Sequence, residues 1–232
     1  MTEIIPAVLP KSFDDLREHL ERLQGAVKQV QVDIVDGHFA HNKTWPYKDS
    51  ATFEKVLSEE HGLPLWETFD FEFDLMVSDP VERVMDYVHA GASRIIVHIK
   101  AEGAAAALQK LADLKSDDYG DYSIKTGVAL MCDMQPDILN DLDGLYDFVQ
   151  VMGIARVGHQ GEPFDKRAIY LVERLRARWP HMHVQVDGGV SIENARVLAH
   201  AGSERLIVGS AIFTAEDPVA ALETLKKEAN KV

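Results

Sequence analysis

Short β-branched runs alternate with helix-like segments about eight times along this chain. The candidate strands are Ile4 to Leu9, Val30 to Val35, Phe71 to Val77, Arg94 to Ile99, Thr126 to Met131, Phe148 to Met152, His183 to Asp187 and Arg205 to Val208. Each is followed by a segment with helical apolar spacing, as in Leu16, Leu20 and Leu23. Strands that alternate with helices build parallel sheets, so this pattern predicts an α/β fold.

The helical segments also carry start signals. Ser12 and Ser191 precede apolar periodic runs, and Asp79 and Asp217 each stand directly before a proline, which suits the first turn of a helix. Eight β-then-α units in 232 residues favour a closed (β/α)8 TIM barrel over a doubly wound sheet. We expect a single domain spanning residues 1–232.

Bulk properties narrow the function classes. The formal net charge is -14, which disfavours non-specific binding to nucleic acid or to an anionic membrane surface. An anionic small substrate stays compatible if backbone N–H groups hold it locally. The sequence has no signal-peptide pattern, no apolar run approaching a membrane span and only one cysteine, Cys132, so we expect a cytoplasmic protein.

Acidic or small residues follow three candidate strands at their carboxyl ends. They are Asp33, Asp36 and Gly37 around the end of the second strand, Asp187, Gly188 and Gly189 at the end of the seventh, and Gly209 and Ser210 after the eighth. In a barrel of parallel strands these ends share one face, where ligands bind. Glycines after the seventh and eighth strands predict a phosphate site built from backbone amides, although they could also serve only tight turns.

Strand alternation groups further polar residues. Gln31 with Asp33, Glu72 with Asp74, His98 with Lys100, and Gln185 with Asp187 are each two residues apart, so each pair shares a face. The functional interpretation is a site in which Asp33, Asp74, Asp187, His98 and Lys100 converge at the barrel mouth. The alternative is that some of them cap loops or form buried ion pairs, such as Lys100 with Asp74.

Three connections are longer than simple turns: Asp36 to Ser50, Asp117 to Ser123, and Gly153 to Asp165. The first and third follow strands directly. Long loops at the carboxyl face of a barrel often close over a bound ligand. We therefore expect these two to be candidate lids.

Several stretches together resemble the ribulose-phosphate 3-epimerase family: VDIVDGHFAHNKTW, DLMVSDP, AGASRIIVHIKAE and VQVDGGVSIENARVLAHAGSERLIVGSAIF. The resemblance implies a phosphate-binding (β/α)8 barrel that epimerises carbon 3 of a ketose phosphate. It also implies two aspartates acting as acid and base, and a divalent metal bound by two histidines and those aspartates. The matched residues are Asp33 and Asp187 for catalysis, Gly188, Gly189, Gly209 and Ser210 for phosphate, and His98 and Met76 for substrate contact.

The chain departs from the family pattern at several positions. Gln31 and Asp74 stand where the family has its metal histidines, Ala7 replaces a serine, Lys100 stands where a glutamate is usual, and the loop after the sixth strand reads GIARVGHQGEPF. The resulting candidate metal set, Gln31, Asp33, Asp74 and Asp187, offers only oxygen ligands. Such a set favours magnesium or manganese over zinc. Alternatively the site is metal-free, and Lys100 acts as a catalytic cation that stabilises an enediolate.

Three functions remain open from the sequence. The first is a ketose-phosphate epimerase in which Asp33 removes a carbon-bound proton and Asp187 returns one from the other face. The second is a sugar-phosphate aldolase or decarboxylase on the same barrel, using Asp74, Lys100 and Asp187. The third is an inactive binder of sugar phosphates. In each case the expected partner is a small phosphorylated sugar, and we expect a homo-oligomer.

Overall fold

The computed structural model describes residues 1–116, 124–159 and 161–231. Its strands are β1 (Glu3–Val8), β2 (Gln29–Val35), β3 (Asp70–Met76), β4 (Ala92–His98), β5 (Lys125–Met131), β6 (Phe148–Met152), β7 (His183–Asp187) and β8 (Arg205–Val208). Its α-helices are α1 (Phe13–Glu21), α2 (Ser50–Leu57), α3 (Pro80–His89), α4 (Ala104–Ser116), α5 (Arg167–Arg178), α6 (Ile192–Ala201), α7 (Ser210–Phe213) and α8 (Pro218–Ala229).

The eight strands pair in parallel in the order β1 to β8, and β8 pairs with β1 to close the barrel. The predicted (β/α)8 TIM barrel is therefore confirmed. All eight candidate strands form, with ends that differ from the prediction by two residues or fewer. Among the described residues, no helix combines the length and the apolar character needed to span a membrane.

One predicted unit differs from the rest. After β5 the described chain forms a 3-10 helix, Pro136–Leu142, in place of an α-helix. Asn140 and Asp141 have low helix propensity because their side chains compete for backbone hydrogen bonds. The long connection predicted from Asp117 to Ser123 lies outside the described residues.

The predicted start signals do form caps. The side chain of Ser12 accepts a hydrogen bond from the N–H of Asp15 at 3.1 Å. Asp79 accepts from the N–H of Glu82, and Asp217 from those of Val219 and Ala220. Each cap satisfies N–H groups that the first turn of a helix leaves without partners, so local sequence determines where these helices begin.

Alternation along the strands separates two cores. Outward residues such as Val32, Phe73 and Val186 pack under the helices in one large apolar cluster. Inward residues form two small apolar clusters, one around Ile5 and Ile207 and the other around residues 96, 129, 148 and 152. Polar side chains occupy the rest of the barrel interior, and the candidate site is built among them.

Candidate active site

Three buried carboxylates meet at the carboxyl ends of the strands. Asp33 lies two residues before the end of β2, Asp74 is its register partner on β3, and Asp187 is the last residue of β7. One carboxylate oxygen from each of the three residues lies within 4.8 Å of the other two. Asp74 is fully buried, and Asp33 and Asp187 are each 8% exposed, so the latter two can meet a ligand entering from the mouth.

The amide of Gln31 joins two of these carboxylates. Its Nε2 donates to Asp33 Oδ1 at 2.8 Å and to Asp187 Oδ2 at 2.8 Å. Its Oε1 is buried and has no hydrogen-bond partner among the described residues. An orphan buried acceptor is costly, so this oxygen is available to a ligand that offers positive charge.

The three carboxylates repel one another because they are close together and buried away from water. Burial and the charge of Asp74 raise the pKa of Asp187 to about 8. Burial, followed by the charges of Asp187 and Asp74, also raises the pKa of Asp33 well above its ordinary value. In the absence of a cation, the cluster therefore holds a proton near neutral pH.

Asp74 lies below the mouth between two donors. His98 Nε2 lies 2.9 Å from Asp74 Oδ1, and Gln150 Nε2 donates to Asp74 Oδ2 at 3.1 Å. The ring of Phe39 covers His98, with ring centroids 5.2 Å apart. His98 is 2% exposed, so in this structure it orients Asp74 from within the protein instead of facing the mouth.

A cavity opens above the carboxylates. Its lining includes Asp33, Met76, Met152, Asp187, Gly188, Gly189, Gly209 and Ser210. Of the fourteen described residues that line the cavity, seven are site candidates from the sequence, and Met152 is not among them. The two candidate acid/base residues and the two candidate phosphate loops thus face one cavity.

The loop after β7 is locked against the loop after β6. Gly188 and Gly189 have φ angles of +99° and +67°, which non-glycine residues rarely adopt. A Cβ on Gly189 would lie 2.8 Å from the Cα of Phe164, and one on Gly153 would lie 2.3 Å from the carbonyl oxygen of Gly188. Glycines therefore do more here than permit a turn, because they allow the two loops to approach.

Lys100 does not occupy the predicted position. β4 ends at His98, and Lys100 lies exposed in the turn that follows. It does not line the cavity that contains Asp33 and Asp187. The expectation that it points inward two residues after His98 is wrong because strand alternation stops where the strand ends.

The two candidate lids differ in role. In the loop after β2, Asp36 accepts hydrogen bonds from Ser78 and from the N–H groups of His38 and Phe39. Partial burial alone would raise the pKa of Asp36, but these hydrogen bonds outweigh it and lower the pKa, which makes Asp36 a structural anchor. The loop after β6 contributes residues 158, 159 and 161 to the cavity. This second loop therefore covers the candidate site directly.

Sequence reasoning missed Gln150 and Met152. Gln150 is fully buried on β6 and reaches both Asp74 Oδ2 and, at 3.4 Å, Asp187 Oδ2. The signal was a single glutamine inside the apolar run FVQVM, two residues before the strand end. The same spacing singled out Gln31 and Gln185, and it could have identified this residue.

Comparisons with known proteins agree with this geometry. The model of the Ribulose-phosphate 3 epimerase family matches residues 3–213. The ribulose-phosphate 3-epimerase of Candida glabrata is 29% identical over 235 residues, covering 98% of this chain and 92% of the relative. That of Aquifex aeolicus is 26% identical over 232 residues, covering 97% and 96%.

A solved structure shares the fold at lower sequence identity. The crystal structure of 3-hexulose-6-phosphate synthase from Salmonella typhimurium superposes with a TM-score of 0.68 at 14% identity, covering 98% of this chain and 98% of that chain. At this identity the likeness concerns the fold alone. The family match over nearly the whole chain is what decides the assignment, and the chain belongs to the ribulose-phosphate 3-epimerase family.

Proposed function

We propose that this protein is an isomerase that epimerises carbon 3 of a ketose phosphate, such as ribulose 5-phosphate and xylulose 5-phosphate or a related sugar. The observation that carries the proposal is the pair Asp33 and Asp187, with carboxylate oxygens within 4.8 Å of each other beside the mouth cavity. The named relatives support the substrate class, since both are ribulose-phosphate 3-epimerases.

The pair is suited to two-base proton transfer. Epimerisation needs one ionised carboxylate to remove the carbon-bound proton and one protonated carboxyl group to return a proton on the opposite face. In the absence of a cation, the raised pKa values of both groups let the pair hold such a proton near neutral pH. Asp33 acts as the base in one direction and Asp187 as the acid, and the roles reverse for the opposite reaction.

A divalent cation fits this site. Asp33, Asp74 and Asp187 would hold it, and Gln31 would add its Oε1 as a fourth oxygen after its amide turns over, because in this structure its Nε2 faces two of the carboxylates. Oxygen ligands without imidazole favour magnesium or manganese over zinc. When bound, the cation would supply positive charge that stabilises the enediolate oxygen and offsets the repulsion among the carboxylates.

The substrate phosphate is assigned to the loops after β7 and β8. Gly188, Gly189, Gly209 and Ser210 line the same cavity as the two aspartates. In this fold, backbone N–H groups of those loops commonly bind phosphate. Met76 lines the cavity from β3, where it contacts the sugar, while His98 acts from beneath through Asp74.

The experiment is exchange of the carbon 3 proton of ketopentose and ketohexose phosphates with deuterated water. Wild-type protein with added Mg²⁺ or Mn²⁺ is expected to exchange this proton and to interconvert the epimers. Asp33→Asn and Asp187→Asn should each lose about 10²- to 10⁴-fold in rate, the usual contribution of an acid/base group. Normal binding with no exchange for any of these sugars would favour an inactive binder and overturn the proposal.

Lys100→Ala separates the remaining alternatives. The metal-free epimerase and the aldolase or decarboxylase both need this ammonium in the site, but Lys100 is exposed and outside the cavity. The variant is expected to keep its exchange rate within about twofold, as for a surface substitution. A loss as large as that of the aspartate variants would reinstate Lys100 as catalytic, and product analysis would then distinguish epimerisation from carbon–carbon cleavage.

A further inference from the structure

A chain of buried polar side chains runs through the barrel interior toward the carboxylates. It starts at Arg205 on β8 and passes through Gln185 on β7 and Gln150 on β6, with each residue the register partner of the next. Gln185 is 1% exposed and Gln150 is fully buried. We call these three residues together with Arg94 and Glu72 the polar column.

The arginines determine which way the first amide faces. Arg205 Nη1 donates to Gln185 Oε1, and Arg94 Nη2 donates to the same oxygen at 3.4 Å. A guanidinium group has five donors and no acceptor, so Gln185 can only present its oxygen to these residues. Its Nε2 therefore faces away from them and donates to Glu72 Oε1 at 3.0 Å and to Gln150 Oε1 at 2.6 Å.

The orientation of the Gln185 amide in turn determines the orientation of the Gln150 amide. Because Gln150 Oε1 accepts from Gln185, the Nε2 of Gln150 faces the opposite way. There it donates to Asp74 Oδ2 at 3.1 Å and to Asp187 Oδ2 at 3.4 Å. Amide orientation is normally assigned from the surrounding network, and here donor-only arginines at the start of the column leave one consistent assignment.

We infer that Gln150 is a positioning residue, oriented through Gln185 by Arg94 and Arg205, whose N–H groups hold the carboxylates of Asp74 and Asp187 in the arrangement that the site uses. The inference deepens the proposed function and rests on it only for the use of those carboxylates. The orientation itself follows from the column. Hydrogen-bonded partners of this kind fix the rotamers of ligand and catalytic carboxylates.

A neutron structure of the deuterated full-length protein tests the orientation independently of activity. Deuterium on Gln150 Nε2 should point toward Asp74 Oδ2, and deuterium on Gln185 Nε2 toward Gln150 Oε1. Finding Gln150 Oε1 against Asp74 would overturn the inference. This result does not depend on whether the protein binds a cation or turns over any sugar.

Mn²⁺ binding to the metal-free protein, followed by electron paramagnetic resonance, tests the consequence. Gln150→Leu keeps the approximate volume and removes the donors, so Mn²⁺ should bind about 10- to 100-fold more weakly, as when other outer partners of metal ligands are lost. Gln24→Glu on the exposed surface is the control and should bind as the wild type does. Thermal unfolding of each variant checks that it is folded.

Gln185→Glu tests whether Mn²⁺ binding becomes tighter or weaker, and it leaves Asp33, Asp74 and Asp187 unchanged. By charge alone, an added carboxylate in the barrel should tighten Mn²⁺ binding. The polar column predicts the reverse, because Arg94 and Arg205 favour the ionised form of the introduced carboxylate, which cannot donate to Gln150 Oε1, so the amide of Gln150 turns over. Binding about tenfold weaker supports the inference, and binding that is unchanged or tighter overturns it. If the wild type itself binds no Mn²⁺, the cation in the proposed function fails, and the neutron structure alone decides this inference.

Discussion

At the scale of single residues, the candidate site brings three buried carboxylates together, and ionising all three is costly unless a proton or a cation balances their charge. One carboxylate oxygen each from Asp33, Asp74 and Asp187 lies within 4.8 Å of the other two, and Gln31 donates to two of these residues. Hydrogen bonds from the amides of Gln31 and Gln150 only partly offset the mutual repulsion. Raised pKa values are the result, and they link the chemistry of the site to the stability of the fold.

This linkage predicts how stability depends on pH. The folded-state pKa of Asp187 is about 8 against 3.8 for the ordinary group, so between these values the folded state binds more protons than the unfolded state. The free energy of unfolding should therefore be highest at the acidic side and fall as pH rises toward about 8, by at most about 1.4 kcal/mol per pH unit for each such group.

Urea unfolding in EDTA between pH 5 and pH 9 measures this effect. Asp187→Asn should flatten the dependence and be more stable than the wild type at pH 9, because it removes one buried charge. Added Mg²⁺ or Mn²⁺ should stabilise the wild type most at high pH, where protons no longer compete with the cation. Parallel curves for the wild type and the variant would contradict the assignment of the raised pKa to this cluster.

At the scale of elements, the loops after β6 and β7 form one interlocked rim. The N–H of Gly153 donates to the carbonyl oxygen of Asp187 at 2.6 Å, and the N–H of Asp165 donates to the carbonyl oxygen of Gly153 at 2.8 Å. Gly189 then passes close to the backbone of Phe164. A change in either loop should therefore move the other, and with it the candidate phosphate site.

Gly189→Ala tests this coupling, with Gly144→Ala as a matched control. Both glycines have positive φ, +67° and +80°, but a Cβ on Gly189 meets the backbone of Phe164 at 2.8 Å while one on Gly144 meets nothing within 4 Å. Backbone strain alone should cost about 1–2 kcal/mol in each variant.

Only Gly189→Ala should also weaken binding of inorganic phosphate, by about tenfold, as for loss of a hydrogen bond to a charged group. Calorimetric titration with phosphate and urea unfolding measure the two effects separately. If both variants bind phosphate as the wild type does, the loop after β7 is not part of a phosphate site.

At the scale of the whole molecule, the polar column connects the amino-terminal end of the barrel with the candidate site. Glu72 is fully buried and accepts from Arg94, from Arg205 at 2.7 Å and from Gln185 at 3.0 Å. A barrel interior is commonly filled by branched apolar residues, and here much of it is a network of charges and amides. Within the column, Arg205 Nε is the one buried side-chain atom without a hydrogen-bond partner among the described residues, and it lies 3.6 Å from a carboxylate oxygen of Glu3. Removing a further partner from a buried network of this kind is costly.

Glu72→Leu should therefore be strongly destabilising, because it leaves the buried Arg205 and the half-buried Arg94 without their carboxylate. We expect a loss of about 3–5 kcal/mol in the free energy of unfolding, measured with urea. The control is Glu223→Ala, which removes an exposed pair with Lys226 at 2.8 Å and should cost less than about 1 kcal/mol. A small effect of Glu72→Leu would mean that the column does not support the barrel.

A homo-oligomeric assembly and a cytoplasmic location stay predictions.

The sequence by itself determined the alternation of strands and helices, the caps that start the helices, and the strand ends that carry Asp33 and Asp187. These features depend on local propensity and on a two-residue period, so they can be read along the chain. Lys100 could not be placed this way, since its orientation depended on where β4 ends. Only the tertiary structure decided that Gln150 reaches Asp74 and Asp187 from another strand, because contacts between strands depend on barrel closure and register.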